Sequence, residues 1–422
     1  MDILNIATTL IVLAAFFGYL NARFLKFPDA IGLMLIAILF SAATIMAGSI
    51  FPDILEFEKE LVTQIDFKEI LLDGFLSIIL FAGALHTDLN LLRTMRGPIL
   101  MFATLGVLLS TFLVAGMMFV GFQGLGLDVP FIHCLLFGAL ISPTDPIAVL
   151  GILKNAGVSK ALEIKIVGES LFNDGIGVVI FLTIFSIAFL GNGEISSVDI
   201  ALLFFKEVGG GILLGFGLGY LAYFLMKSID SYQVEVLITL AIVLGGYWLA
   251  RYLHFSGPLA MVVAGLMIGH ERFRSSGMSN ITETYVDKFW ELLDLSFNAI
   301  LFVLIGLELT IISLDGEYLL AGLLAIPVVL LARYMALFFP IRLFKRRLGL
   351  APQTGIMMTW GGLRGGISIA LALSLTASMS RELLITVCYI VVVFSIIVQG
   401  LSVGGLARKY RKRLEAAGQP AD

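Results

Sequence analysis

The sequence predicts an all-α polytopic membrane protein with about thirteen transmembrane helices. The chain has 422 residues, of which 59% are hydrophobic and only 14% are charged. A soluble protein of this size carries more charge, since about a quarter of the residues in globular domains are charged. Apolar stretches also recur at the length of about 20 residues that a helix needs to cross a bilayer. The composition therefore excludes a soluble globular domain.

Each predicted helix is an apolar segment bounded by polar or turn-forming residues. The segments begin near Ile3, Asp29, Glu69, Pro98, Pro130, Ile166, Ile200, Val234, Gly257, Glu291, Glu317, Pro352 and Glu382. The ninth segment, from Gly257 to Gly269, is short, and we do not expect it to cross the bilayer fully on its own.

Lysines and arginines are distributed very unevenly between the two sides of this arrangement. One side holds Arg23, Lys26, Arg93, Arg96, Lys154, Lys160, Lys165, Lys227, Arg272, Arg274, Lys288, Arg342, Lys345, Arg346, Arg347, Arg408, Lys409, Arg411, Lys412 and Arg413. The other side holds Lys59, Lys68, Lys206, Arg251 and Arg381. Because cytoplasmic loops are rich in basic residues, we predict a multi-pass protein of the cell (inner) membrane with its amino terminus outside and its carboxyl terminus cytoplasmic.

An odd number of helices divides into two sets of six and a linker. We predict one transmembrane transporter domain over 1–422, with a first repeat at 1–190, a linker helix at 200–227, a second repeat at 234–406 and a short cytoplasmic tail at 407–422. The eighth helix then starts on the opposite side from the first, so the repeats are inverted. The linker carries Gly211, Gly215 and Gly219 at four-residue spacing, which favours close helix packing, either across a dimer contact or inside one chain.

The fifth helix of each repeat is interrupted in mid-span. The first interruption is the run from Ile141 to Pro146, and the second is the run from Trp360 to Gly366. Paired interruptions at corresponding positions indicate the substrate site of a secondary transporter. Broken helices expose partial charges at their ends. We expect Asp145 to neutralise an amino end in the fifth segment or to bind a cation, and Arg364 to neutralise a carboxyl end in the twelfth.

The sixth segment, Ile166 to Phe189, carries three strongly polar side chains in its first half. Ser170, Asn173 and Asp174 share one helix face at i, i+3 and i+4. Glu169 points about 100° away from Ser170, and we expect it to pair with Arg364. An ionisable residue at this depth is by default a transport-site hypothesis. Asp174 is therefore the main candidate, the alternative being a structural polar residue tied to another helix.

The candidate site consists of oxygen donors. Asp174, Ser170, Asp145 and Thr144 supply them, and Asn173 lies nearby. Oxygen ligands suit a small hard cation such as Na⁺. Burial favours the protonated form of a carboxyl group, so a proton and a cation would compete for the same oxygens. One charge exchanged in each direction is electroneutral.

Four stretches carry a resemblance to a known family. They are SPTDPIAVLGILK (Ser142 to Lys154), GESLFNDGIGVVIF (Gly168 to Phe181), GPLAMVVAGLMIG (Gly257 to Gly269) and GGLRGGISIALAL (Gly361 to Leu373). On these motifs the chain resembles a prokaryotic member of the monovalent cation:proton antiporter family one, the NhaP/NHE type. The resemblance implies an NhaA/NhaP-like fold of inverted repeats with crossed broken helices, a homodimer and an elevator-like motion.

The resemblance also implies roles for particular residues. Asp174 would carry the ion and the proton, with Ser170, Asp145 and Thr144 in its coordination shell, Asn173 ordering the site, and Glu169 and Arg364 forming a structural ion pair. The pair Asn173-Asp174 would mark electroneutral exchange. Some relatives have a Phe-Glu-Gly-Gly-Leu run in the third helix, whereas this chain has Phe81-Ala82-Gly83-Ala84-Leu85 and departs from that pattern at the acidic position.

We therefore predict an antiporter that exchanges Na⁺ (or Li⁺) for H⁺ in pH homeostasis. A K⁺/H⁺ antiporter is an alternative, because sequence does not fix the size of the site. A passive channel needs a continuous polar lining and ranks behind, since the acidic residues cluster at one depth. Neither a histidine-rich metal cluster nor a nucleophile–base pair is evident, so we expect no enzyme, no cofactor and no nucleic-acid partner. The expected partners are monovalent cations, protons and the lipid bilayer.

Overall fold

The computed structural model describes residues 3–48, 52–64, 75–145, 152–153, 160–190, 197–312, 315–348 and 354–416. Over these ranges the chain is almost entirely helical, with an isolated bridge between two residues in place of a sheet. Helices satisfy their backbone hydrogen bonds internally, as a segment in lipid requires. The predicted all-α membrane fold is confirmed.

The helices of the first half run from α1 to α9. They are α1 (Ile3–Leu20, extended by the π-helical turn Asn21–Leu25), α2 (Asp29–Ala47), α3 (Pro52–Gln64), α4 (Leu76–Leu85), α5 (Leu89–Thr94), α6 (Arg96–Met101), α7 (Val107–Gly124), α8 (Phe131–Ile141) and α9 (Lys160–Leu190). The π-helical turn Phe102–Gly106 joins α6 and α7 into one span.

The helices of the second half run from α10 to α19. They are α10 (Ser197–Lys227), α11 (Tyr232–Leu253), α12 (Gly257–Ile268), α13 (Glu271–Gly277), α14 (Asn280–Leu307, closed by the 3₁₀ turn Glu308–Thr310), α15 (Gly316–Leu348), α16 (Thr354–Gly361), α17 (Gly366–Leu373), α18 (Arg381–Phe394, after the 3₁₀ turn Ala377–Met379) and α19 (Gly400–Ala416). The π-helical turn Ser395–Gln399 makes α18 and α19 continuous.

Among the described residues, nine helices are long and apolar enough to cross a membrane. They are α1, α2, α6–α7, α9, α10, α11, α14, α15 and α18–α19. The other four predicted segments correspond to the shorter helices α4, α8 and α12 and to the interrupted pair α16–α17. The count of thirteen stays a prediction. The predicted starts at Glu69 and Pro352, and Pro146 in the first interruption, lie outside the described residues.

The glycine stripe of the linker helix α10 faces α12 inside the same chain. A Cβ at Gly215 would overlap the carbonyl group of Ala260, and one at Gly219 would press on the side chain of Met267. A Cβ at Gly211 would likewise meet the neighbouring backbone before α12. Of the two interpretations of this stripe, the structure shows internal packing.

The amphipathic helix α3 is fastened to α2 through one acidic side chain. The Ser41 and Thr44 hydroxyl groups of α2 donate to the two carboxylate oxygens of Glu58, which is buried. Burial raises the pKa of the Glu58 carboxyl group, and the two hydrogen bonds oppose that shift. α3 is therefore held against α2 by a specific polar contact.

The two interrupted segments meet in the middle of the larger apolar core. α8 ends at Ile141 just before Pro143, which lacks the N–H that the next helical turn would need. α16 and α17 are separated by four residues that include Gly362 and Gly365. The Asp145 N–H donates to the Leu363 carbonyl at 2.8 Å, so the two interruptions are bonded to each other.

Candidate ion-binding site

Asp174 lies on α9 beside this crossing and carries an unsatisfied oxygen. Its side chain is 5% exposed, and its Oδ1 atom is buried with no hydrogen-bond partner. No ion pair to Asp174 occurs among the residues that the structure describes. A buried carboxylate in that state is energetically unfavourable unless a proton or a cation joins it.

The hydroxyl and amide groups next to Asp174 form a fixed network around Thr144. The Asn173 Nδ2 atom donates to Thr144 Oγ1 at 2.8 Å, and Asn173 Oδ1 accepts from the Thr144 N–H at 3.2 Å. The hydroxyl groups of Thr144 and Ser170 are 3.0 Å apart. The structure thus brings Thr144 against Ser170 and Asn173. Both lie on the α9 face that also carries Asp174, as the helical spacing predicted.

Asp145 lies at the amino end of the half-helix α17. A Cβ at Gly365, the residue that precedes α17, would overlap the Asp145 carboxylate. A carboxylate in this position is stabilised by the partial positive charge of the helix amino end. Asp145 is also within electrostatic range of Asp174.

Arg364 lies at the carboxyl end of the other half-helix, α8. Its Nη1 atom donates to the carbonyl groups of Ile141 and Ser142 and, at 3.0 Å, to that of Pro143. We expected Asp145 and Arg364 each to neutralise the end of a half-helix in its own segment. The structure corrects this expectation: each side chain neutralises a half-helix of the other segment, because the two breaks cross.

The predicted ion pair between Glu169 and Arg364 is wrong. Glu169, 1% exposed, binds Arg333 of α15 instead, with Nη1 to Oε1 at 3.0 Å and Nη2 to Oε2 at 3.1 Å. The Arg364 guanidinium is instead turned toward the α8 carbonyl groups, which its Nη1 atom binds, while its Nη2 atom has no hydrogen-bond partner among the described residues. The prediction that Glu169 serves a partner different from that of Ser170 is consistent with this geometry.

Arg333 is the functional residue that sequence reasoning missed. Its Nε and Nη2 atoms also donate to the Met358 carbonyl in the last turn of α16, at 3.3 and 3.2 Å. A Cβ at Gly362 would overlap the guanidinium group, which explains a glycine there. A signal was present, since an arginine in the middle of an apolar segment is as unfavourable as Glu169 and requires a partner.

A second layer of hydroxyl groups holds the crossing in place. Ser395 Oγ accepts from the Arg364 N–H at 2.9 Å and donates to Gln399 Oε1 at 2.6 Å. On the α8 side, Ser142 Oγ donates to the Gly138 carbonyl at 2.6 Å, in contact with the hydroxyl groups of Ser110 and Thr111. These bonds satisfy backbone groups that the interruptions would otherwise leave unpaired.

The site can therefore bind a small positive species. It offers carboxylate and hydroxyl oxygens, which favour a hard monovalent cation over a soft metal. Two carboxyl groups in electrostatic range repel each other when both are ionised, and either H⁺ or a cation relieves that repulsion. The same oxygens cannot hold both occupants at once.

Comparisons with known proteins identify the family of this chain. A family model described as "Sodium/hydrogen exchanger, transmembrane" matches residues 11–409. The chain is 47% identical to the Na⁺/H⁺ antiporter NhaP of Pseudomonas aeruginosa, over 99% of this chain and 98% of that protein. It is 33% identical to the Na⁺/H⁺ antiporter NhaH of Halobacillus aidingensis, over 92% and 93% of the two chains.

A solved structure shows the same fold. The structure of the sodium proton antiporter MjNhaP1 from Methanocaldococcus jannaschii at pH 8 superposes with a TM-score of 0.75. The superposition covers 97% of this chain and 99% of that one, at 23% sequence identity. At this identity the likeness concerns the fold alone.

Proposed function

Since this chain belongs to the sodium/hydrogen exchanger family, as a prokaryotic sodium/proton antiporter of the NhaP type, we propose that it exchanges one Na⁺ (or Li⁺) for one H⁺ at the carboxyl group of Asp174. The observation that carries the proposal is the buried, unpartnered Oδ1 atom of Asp174. Five residues earlier on the same helix, Glu169 is equally buried but neutralised by Arg333. Asp174 is thus left available for an exchangeable positive charge.

The neighbours of Asp174 determine how a cation binds. Asp145 adds a second carboxylate, and Thr144 and Ser170 add hydroxyl oxygens. Asn173 holds Thr144 through two hydrogen bonds, so the Thr144 oxygen is positioned before the cation arrives. Preorganised ligands bind more tightly because less freedom is lost on binding.

Competition at one carboxyl group couples the two fluxes. When Asp174 holds H⁺, its carboxyl group is neutral and its oxygens are not available to Na⁺; when it releases H⁺, Na⁺ can bind. Alternating exposure of this site to the two sides of the membrane gives exchange, and the family resemblance of the pair Asn173-Asp174 supports one positive charge in each direction. The exchange is therefore electroneutral.

A transport assay in proteoliposomes tests this proposal. With an acidic interior, addition of Na⁺ outside should release internal protons, and clamping the membrane potential should not change the rate. Li⁺ and K⁺ run in the same assay decide between a Na⁺-selective and a K⁺-selective exchanger. A rate that follows the imposed voltage would contradict the electroneutral proposal.

We propose the orientation and the assembly on separate grounds. The excess of basic residues in one set of loops supports an amino terminus outside and a cytoplasmic carboxyl terminus in the inner membrane. A fluorescent protein fused after residue 422 should then mature in the cytoplasm. The family resemblance supports a homodimer, which native mass spectrometry of the purified protein tests.

A further inference from the structure

One acidic side chain near the crossing has no role in the proposed exchange. Asp294 is the last charged residue of α14 before an uncharged run that continues to Glu308. It stands fourteen residues into the helix, about 21 Å from Asn280 along the axis. Asp294 thus lies inside a candidate membrane span, where an ionisable residue is by default a functional hypothesis.

The face of α14 that carries Asp294 points to the ion site. Leu301, seven residues later and on the same face, lies against Gly366, where a Cβ would overlap it. The preceding residue, Gly365, lies against Asp145. Asp294 is therefore about two helical turns, or roughly 10 Å along the axis, from the contact between α14 and the crossing.

Asn298 lies between Asp294 and that contact. Its Nδ2 atom donates to the Asp294 backbone carbonyl and to Asp294 Oδ1, both at 2.8 Å. Its Oδ1 atom is buried with no hydrogen-bond partner, although the residue is only 5% exposed. The donor side of the amide is thus saturated, and the acceptor side is left for a ligand.

Electrostatics and packing place Asp294 and Asn298 on the side of α14 that leads toward Asp145. Asp294 is half-buried and lies within electrostatic range of Asp145. One turn earlier, the Trp290 ring packs 4.5 Å from the Phe81 ring of α4, so the neighbouring part of α14 makes an apolar contact. Beyond Glu291, the oxygens of Asp294 and Asn298 are the polar groups that this face of α14 offers before its contact with the crossing.

We propose that Asp294 and Asn298 form a second cation subsite, which binds a monovalent cation on its way between the α14 amino-terminal side and Asp174. The proposal rests on the proposed function and on the proposed orientation, in which that side is cytoplasmic. The ligands are one carboxylate and one amide oxygen, which suit a small hard cation that keeps part of its water shell. The subsite raises the local cation concentration on the cytoplasmic side of the ion site, and the exchange step itself takes place at Asp174.

The test is the Na⁺ dependence of exchange measured separately on each face. In everted membrane vesicles the cytoplasmic face is outside, and in right-side-out vesicles the outer face is outside. Asp294→Asn should raise the KM for Na⁺ about tenfold at the cytoplasmic face, equivalent to about 1.4 kcal/mol. The maximal rate and the KM at the outer face should change less than about twofold, equivalent to about 0.4 kcal/mol.

Matched variants separate the subsite from general surface charge. Glu291→Gln removes the same charge one turn away on an exposed side chain that pairs with Lys288, and it should leave the KM unchanged. Asp294→Glu should restore most of the affinity. An inner-face KM that Asp294→Asn leaves unchanged, or that Glu291→Gln raises equally, overturns the subsite.

Binding of ²²Na⁺ to purified protein gives a readout that does not depend on transport. Asp174→Asn should retain weak Na⁺ binding that Asp174→Asn/Asp294→Asn loses, whereas equal binding by the two overturns the subsite. Absence of any exchange by the wild-type protein would instead contradict the proposed function, so the two failures are distinguishable.

Discussion

Asp174 and Glu169 are two buried carboxyl groups on one helix that the fold treats in opposite ways. Glu169 receives two hydrogen bonds from the Arg333 guanidinium and is locked to α15. Asp174 keeps a buried oxygen without a partner. A carboxylate in an ion pair helps to hold two helices together, whereas a buried carboxylate with an unpartnered oxygen is available to an exchangeable ion.

Asp174→Asn should abolish exchange and leave the fold intact. The amide is neutral and cannot bind and release a proton, while no ion pair in the described structure depends on this side chain. Exchange is measured in proteoliposomes, and folding by size-exclusion chromatography and the thermal transition of the purified protein. Retained exchange would place the carrier elsewhere.

Arg333→Met should lower stability by about 3–5 kcal/mol, because it leaves Glu169 buried without its partner. The double variant Glu169→Gln/Arg333→Met should be less destabilised than the sum of the single changes. Thermal unfolding in detergent measures both. Simple additivity would show that the pair does not act as a unit.

Two glycine substitutions between α16 and α17 should distinguish the ion site from the structural ion pair. In Gly365→Ala the new methyl group displaces Asp145, and in Gly362→Ala it displaces Arg333. We expect the first to raise the KM for Na⁺ by roughly tenfold, equivalent to about 1.4 kcal/mol, and the second to lower the unfolding temperature with a smaller change in KM. Gly217→Ala, where no atom lies within 4 Å of the new carbon, is the control; the reverse pattern would contradict the assignment.

Ser170→Ala should have the smallest effect. Loss of one neutral ligand is worth about 1 kcal/mol, or roughly a fivefold rise in the KM for Na⁺, with the maximal rate nearly unchanged. The matched change Ser186→Ala removes a hydroxyl that bonds only the Leu182 carbonyl of its own helix. Equal effects of the two would show that Ser170 does not act as a ligand.

The sequence was sufficient to predict the helical class, both interruptions and the face that Asp174 shares with Ser170 and Asn173. Hydropathy, proline and glycine positions and helical spacing are local properties, and local properties can be read from one chain. The partner of Glu169 could not be predicted in the same way. The sequence shows that a buried carboxylate and two buried arginines need partners. Only the three-dimensional crossing of the two interruptions determines that Arg364 binds the α8 carbonyl groups and Arg333 binds Glu169.

The carboxyl end of α8 is neutralised by an arginine from the second interruption, and this has a consequence for how the protein is synthesised. Arg364 is 222 residues downstream of the Ser142 carbonyl that it binds. At about 5–20 residues per second, a ribosome needs roughly 10 to 45 seconds to reach it. During that interval the first broken helix is in the membrane without its arginine, and a nascent chain cut short before residue 364 would be left with an exposed defect open to quality-control proteases.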